Sequence, residues 1–431
     1  MTLTYKQLLT RNRSFRLLWG GQVVSELGNW FNFVAGLGLV RSVSMASPEA
    51  AAIILVSRLA PFSIFAPFAG AFVDRWSRRY VMIAADLARA FIALGFLLVR
   101  GPGDLWIAYV CTAISALLTA FFEAAKSAAM PNIAKDEGLL AGNALMFSSR
   151  FLLMTVGAAL GGATAASLGY NIAFMVNAVS FLISAWSIFL IPEAEVKIVN
   201  TAGHHPVVSD VRRGLTGILK DIREGWQFIR SSRIVGAMIG VNVLWAIGGG
   251  ATYLIVDRLG GVLFAHAGGF SPDGSVAVLY SAAGLGLFIG MMLARKAGAY
   301  VEAQGVTIPF IGWMLLLHGV LFAMCGIVPT LMAAAACIFA SRAVIGVEFG
   351  IQDTLLMRSI PDKLRGRVAI TDRAAEILVM SMSTAGAGWA LNHVSIRTVA
   401  VISGLLAGIP GIFWLIINRS GAEVTGETVA G

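Results

Sequence analysis

The sequence predicts an all-α membrane protein of twelve transmembrane helices arranged as two pseudo-symmetric six-helix bundles. Three observations predict it. The chain is 58% hydrophobic and 13% charged with a mean hydropathy of +0.80, more apolar surface than a water-soluble core could hide. Apolar runs of membrane-crossing length fall into two sets of six. A charged hairpin, Gly70-Ala71-Phe72-Val73-Asp74-Arg75-Trp76-Ser77-Arg78-Arg79, returns in decayed form at Gly290-Met291-Met292-Leu293-Ala294-Arg295-Lys296, as expected of a chain built by duplication.

The first six runs lie near 17–40, 50–72, 80–99, 105–125, 141–166 and 170–191. The second six lie near 234–257, 275–294, 306–327, 330–355, 368–390 and 398–417. The chain thus divides into an N-terminal bundle at 1–191, a cytoplasmic linker at 192–233, a C-terminal bundle at 234–418 and a small polar tail at 419–431, expected to be disordered. Glu26, Asn29 and Asn32 make the first run too polar for a cleaved signal peptide, so it is expected to remain as a spanning helix. Leu215, Ile218, Leu219, Ile222, Trp226 and Ile229 recur at helical spacing among charges, which predicts an amphipathic linker helix on the inner membrane surface or, equally, a solvated linker.

Lysine and arginine set the orientation. With the N-terminus inside, Lys6, Arg11, Arg13, Arg16, Arg75, Arg78, Arg79, Arg295, Lys296, Lys363, Arg365 and Arg367 are cytoplasmic, and the outer loops hold Arg41, Arg100, Arg258 and Arg397. Both termini are then expected in the cytoplasm. The net charge of +9 flanks apolar segments instead of forming one stripe, so it speaks for topology and not for nucleic acid.

Duplication extends beyond the hairpin. Glu123 lies eight residues before Pro131, and Asp353 eight before Pro361, at the ends of the fourth and tenth runs. Enzyme classes fall away by inspection: no lysine follows a glycine as a nucleotide-binding loop requires, no histidine precedes a glutamate, and no Gly-x-Ser-x-Gly elbow occurs. Cys111, Cys325 and Cys337 sit in apolar runs without paired spacing, and His204, His205, His266, His318 and His393 do not cluster, so neither metal nor cofactor is expected.

The Gly-x3-Asp-Arg-x-x-Arg-Arg loop between the second and third runs is similar to the cytoplasmic signature of the major facilitator superfamily, with Ser77 where glycine is usual. Asn12-Arg13-Ser14-Phe15-Arg16-Leu17-Leu18-Trp19, Gly21-Gln22, Gly28-Asn29-Trp30-Phe31 and Leu364-Arg365-Gly366-Arg367-Val368 resemble bacterial exporters of the enterobactin-efflux and macrolide-efflux kind. Ala158 stands where antiporters of the superfamily commonly have proline. The resemblance implies alternating access and export of an amphipathic organic compound, of drug or siderophore class, in exchange for protons across the bacterial inner membrane. The expected partners are that small molecule, protons and the lipid bilayer, for a monomer. The alternatives are a lipid or lysolipid flippase of the same fold and, from a different class, a non-transporting receptor or scaffold. Buried charge on several helices argues against a scaffold, which gains nothing to offset its cost.

Charge in the apolar runs costs roughly 2.5–3.5 kcal/mol at a helix centre unless paired or wetted. Glu26, Arg58 and Arg342 are expected near the midplane, roughly 12–18 Å deep at about 1.5 Å per residue. Glu26 is the candidate proton carrier, or else a permanent ion pair with Arg58 or Arg342. In the superfamily fold the first, fourth, seventh and tenth helices line a central cavity, to which Asn29, Asn32, Arg58, Arg342, Tyr109, Asn242 and Trp245 are assigned with Glu26. A cytoplasmic latch is assigned to Gly70, Asp74, Arg75, Arg78 and Arg79 with Asp86, Arg89, Glu123, Arg150, Glu348 and Asp353. In that latch Gly70 lets the second helix approach a neighbour, Asp74 caps a helix start and the arginines hold acids or lipid phosphates. Gly157-x3-Gly161 is expected to bring helices close together.

Overall fold

Capping side chains fix many of the helix starts. In the computed structural model, which describes residues 3–73, 76–196 and 215–418, Asn12, Ser232, Ser271, Thr330 and Ser395 each accept a backbone N–H three residues on and open a long helix. The long helices are α1 Arg13–Val43, α2 Pro48–Val73, α3 Arg78–Leu98, α4 Pro102–Lys135, α5 Glu137–Leu168 and α6 Tyr170–Phe189. The second set is α7 Arg233–Leu263, α8 Pro272–Ala303, α9 Thr307–Cys325, α10 Leu331–Arg358, α11 Asp362–Ala390 and α12 Ile396–Ile417. Among the described residues eleven helices are long and apolar enough to cross a bilayer. The remaining one, α11, has 29 residues but carries Asp372, Arg373 and Glu376 along its first half.

Several ends extend beyond the apolar runs, because polar turns and caps carry the helix into the region where a membrane gives way to water. The first helix covers 13–43 and not 17–40, and the fifth 137–168 and not 141–166. That extension corrects two assignments: Arg41 and Arg258, expected in outer loops, lie in α1 and α7 and are buried. Between α4 and α5 the chain hardly leaves helical form, turning at Lys135 with φ 57° just past Pro131.

The repeat is visible in the packing. In the first half α6 lies against α1 and α3; in the second, α12 lies against α7 and α9, the equivalents under a six-helix shift. Gly28 of α1 meets Ser180 of α6 with no room for a Cβ, and Gly248 of α7 meets Ser403 and Ala407 of α12 in the same way. Ser403 also donates to the Gly248 carbonyl at 2.5 Å. Gly157 and Gly161 of α5 seat Trp30 and Phe31 of α1, as their spacing predicted.

The halves are joined through α5 against α8 and α2 against α11. We call the side bearing both described chain ends the terminal face and the other the opposite face. A short helix, Tyr5–Arg11, is tied to the terminal face by the Leu3 N–H to Glu137 and by Asn12 to the Ile133 carbonyl at 2.6 Å. The expected linker helix is present as Leu215–Ser231; it rests on the start of α11, where Glu224 pairs with Arg367 and Gly225 touches the Arg367 backbone. The tail at 419–431 lies outside the described residues.

Candidate functional site

On the first half, the polar residues assigned to a central cavity lie mainly along one stripe of α1. Glu26 accepts a hydrogen bond from Asn29 at 3.2 Å and faces the Arg150 Nε of α5 at 3.8 Å. This corrects the expected partner: the ionic contact of Glu26 is Arg150, which was assigned to the latch, and not Arg58 or Arg342. Arg58 of α2 instead lies over the Phe33 ring at 4.7 Å, bordering a small cavity of about 20 Å³ with Asn32, Phe33 and Thr112. The Asn32 Oδ1 is enclosed there without a hydrogen-bond partner among the described residues. Tyr109 of α4 is half-buried beside the core cluster containing Phe96 and Phe174.

Aromatic rings from both halves cap this stripe. Phe33 packs edge-on to Trp30 at 5.2 Å, to Tyr253 at 5.8 Å and to Tyr280 at 5.2 Å. Toward the opposite face the halves are locked by charge. Arg41 of α1 pairs with both Asp257 of α7 and Asp273 of α8, and Tyr170 donates to Asp273 at 2.9 Å. Arg258 holds Asp257 at 2.6 Å and donates to the Ala46 carbonyl at 2.7 Å. Asp257 and Arg258 are 0% and 1% exposed, so the full cost of stripping water from them is offset by one another and by Arg41. The site is therefore closed on that side.

The second half contributes a different chemistry. Asn242 of α7 donates to both Asp372 oxygens of α11 at 3.0 and 3.2 Å and accepts from Gln352 of α10 at 2.6 Å. Trp245 donates to His318 of α9 at 3.3 Å, and His318 meets the Ser341 hydroxyl at 2.7 Å, so His318 is not the solitary residue the sequence suggested. Arg342 lies over the Phe322 ring at 5.6 Å. Glu348 is 3% exposed and its Oε1 has no hydrogen-bond partner among the described residues.

The residues assigned to a latch are dispersed. Asp74 and Arg75 lie outside the described residues. Arg78 donates to the Ala128 carbonyl at 2.7 Å, and Arg79 reaches the Phe189 carbonyl and its ring, so both tie α3 to neighbours within the first half. Asp86 and Arg89 pair inside that bundle, with Arg89 between the rings of Phe122 and Phe181. Glu123 is held by Lys126 at 2.6 Å, and Lys126 donates to Gln22 at 3.2 Å. Asp353 is exposed on α10. Among the described residues a Cβ on Gly70 would meet nothing within 4 Å, so none of them makes the close helix approach expected there.

Sequence reasoning missed Lys126, Tyr170, Asp257, Asp273, Gln352 and Asp372. Asp257 and Asp273 carried one usable signal, as acids bracketing the turn between the seventh and eighth runs.

A profile of the Major Facilitator Superfamily matches residues 18–371. The chain belongs to that superfamily. It is a multi-pass membrane transporter and not an enzyme. It is 23% identical to the uncharacterized MFS-type transporter YfiS of Bacillus subtilis over 95% of this chain and 94% of that one. It is 25% identical to the candidate bacilysin exporter BacE of the same organism, over 87% of each chain. Among solved structures, a bacterial homologue of the lysosomal transporter Spinster superposes with a TM-score of 0.71 at 12% identity, covering 94% of this transporter and 96% of the other. A bacterial homologue of ferroportin in its inward-facing state gives 0.65 at 15% identity, covering 93% and 98%. At these identities the structural matches establish the fold.

Proposed function

We propose that this transporter exports an amphipathic organic compound of drug or siderophore class by alternating access, driven by protons entering the cell. The terminal face is the cytoplasmic one in this proposal, as the arginine distribution supports, and the membrane is the bacterial inner membrane. The observation that carries the reading is the polar wall of Glu26, Asn29 and Arg58 under an aromatic cap, closed on the opposite face by an ion-paired lock contributed by both halves. Binding in that wall would need the lock to open before release, which is what alternating access requires. The name of BacE adds support for export.

Arg58 and Arg342 rest on rings without a carboxylate partner among the described residues, which favours a compound bearing an acidic group beside an apolar body. Glu26, held by Asn29 and Arg150, fits the role of a fixed charge that orients the substrate better than that of a mobile proton carrier. In the half-cycle that returns the empty carrier, Asp74 and its arginines would hold the cytoplasmic ends together. The test is uptake of dyes, macrolides and catechol-type chelators into inverted membrane vesicles. Accumulation that collapses with an uncoupler supports proton-driven export; headgroup-selective lipid movement in its place would establish a flippase.

A further inference from the structure

Ser341, Ile345, Glu348 and Gln352 recur at helical spacing and form one stripe of α10. Both ends of that stripe are anchored: Ser341 to His318 of α9, Gln352 to Asn242 of α7. Glu348 is thereby held inside the second bundle, away from lipid, about 15 Å from the terminal-face end of α10 at the helical rise. Its side chain has no described hydrogen bond or ion pair.

The charged and titratable groups of the neighbouring helices are engaged elsewhere or lie at the ends. On α7 Arg233 donates to the Ile417 carbonyl, and on α8 Glu302 pairs with Arg358 while Arg295 and Lys296 sit toward the terminal face. His318 of α9 is bound between Trp245 and Ser341; on α11 Asp372 is held by Asn242, and Arg373 pairs with Glu376. On α10 itself, Arg342 lies over Phe322 and Asp353 is exposed. An ionised carboxylate at 348 would lose its water with no cation among the described residues to offset the loss.

We propose that Glu348 is a proton-binding site of the second half, occupied by a proton in this conformation, closed on the opposite face. The proton adds to the carboxylate as an O–H and leaves to water on the terminal-face side, where Gln352, Asn242 and the half-exposed Asp372 mark a polar way out. Its use in driving export rests on the function proposed above; the binding of a proton does not.

Infrared difference spectra of the full-length protein in lipid nanodiscs, taken between acid and alkaline pH, test the proposal without any substrate. Wild type should show a protonated-carboxyl C=O band that disappears at alkaline pH. That band should be lost in Glu348→Gln and retained in Glu26→Gln. Glu348→Met provides a second variant, which should also lack it and which keeps the test open should Glu348→Gln not fold. A titrating band unchanged in either Glu348 variant, or no such band in wild type, would overturn the assignment. In proteoliposomes loaded with whichever panel compound wild type accumulates, Glu348→Gln should lose uphill movement and keep counterflow; retained uphill movement would overturn the coupling role. Failure of wild type to move any panel compound would sink the export reading, while the infrared band still decides Glu348.

Discussion

The two halves share a helix plan, yet outside the lock on the opposite face they treat interior acids differently. In the first half each described interior carboxylate has a cation beside it: Glu26 with Arg150, Asp86 with Arg89, Glu123 with Lys126. In the second, the acids of the lock are paired too, Asp257 with Arg258 and Arg41 and Asp273 with Arg41, but below them Asp372 is bound by the neutral Asn242 and Glu348 by nothing described. Duplication fixed the backbone and the close helix contacts, as Gly28 with Ser180 and Gly248 with Ser403 show. It did not fix the charges. An acid paired with a cation resists changes of protonation, whereas an unpaired one can respond to them, so the difference suggests that the titrating groups sit in the second bundle.

That contrast can be broken most severely at Asp86 and Arg89. Replacing Arg89 with Met strands the 0%-exposed Asp86 carboxylate, and thermal unfolding should report a loss of about 3–5 kcal/mol; a loss under about 1 kcal/mol would mean the pair is not the support it looks like. Arg41→Met should cost less, about 1–3 kcal/mol, because Arg258 still serves Asp257 and Tyr170 still serves Asp273. Its clearer effect is on the lock: a thiol reagent should reach Tyr253→Cys from the opposite face faster in the Arg41→Met background than in wild type.

Glu26→Gln should change stability by about 1 kcal/mol or less, since Arg150 is 67% exposed and keeps its water. Substrate affinity should fall while the response to a pH gradient survives. Loss of pH-driven transport with affinity intact would reverse the roles given to the two halves. Glu348→Gln should have the smallest stability effect, as a neutral amide replaces a neutral acid of like shape. A large fall in melting temperature would indicate a hidden partner for the carboxylate. Orientation can be checked apart from energetics: cysteines at Ser47 and Ser271 should react with an impermeant reagent in intact cells, and one at Gln304 should not.

Much of the fold was legible because hydropathy and capping are local. Ser271, Thr330 and Ser395 each sit one residue before a long apolar helix, and the runs they introduce were found within a few residues of their observed starts. The site was legible only in part. Glu26 and Arg58 were placed by depth, and Glu26 and Asn29 by the helices that line the cavity in the superfamily fold, but neither says which way a side chain turns, so Arg150 went unrecognised as the neighbour of Glu26. Asp372 and Gln352 gave no signal, because each is a single polar residue whose meaning comes from Asn242 on another helix.

The sequence by itself determined that the chain spans a membrane, that it does so in two related sets of helices, and which side of the polar hairpin the arginines favour. Those properties are sums over neighbouring residues, and a run of about 20 apolar residues has few other fates. Only the tertiary structure decided that Arg41 would bind Asp257 and Asp273, more than two hundred residues away, and that Glu348 would meet no described cation. Such outcomes depend on the rotation and tilt of whole helices, where a turn of one residue, about 100°, exchanges a buried partner for lipid.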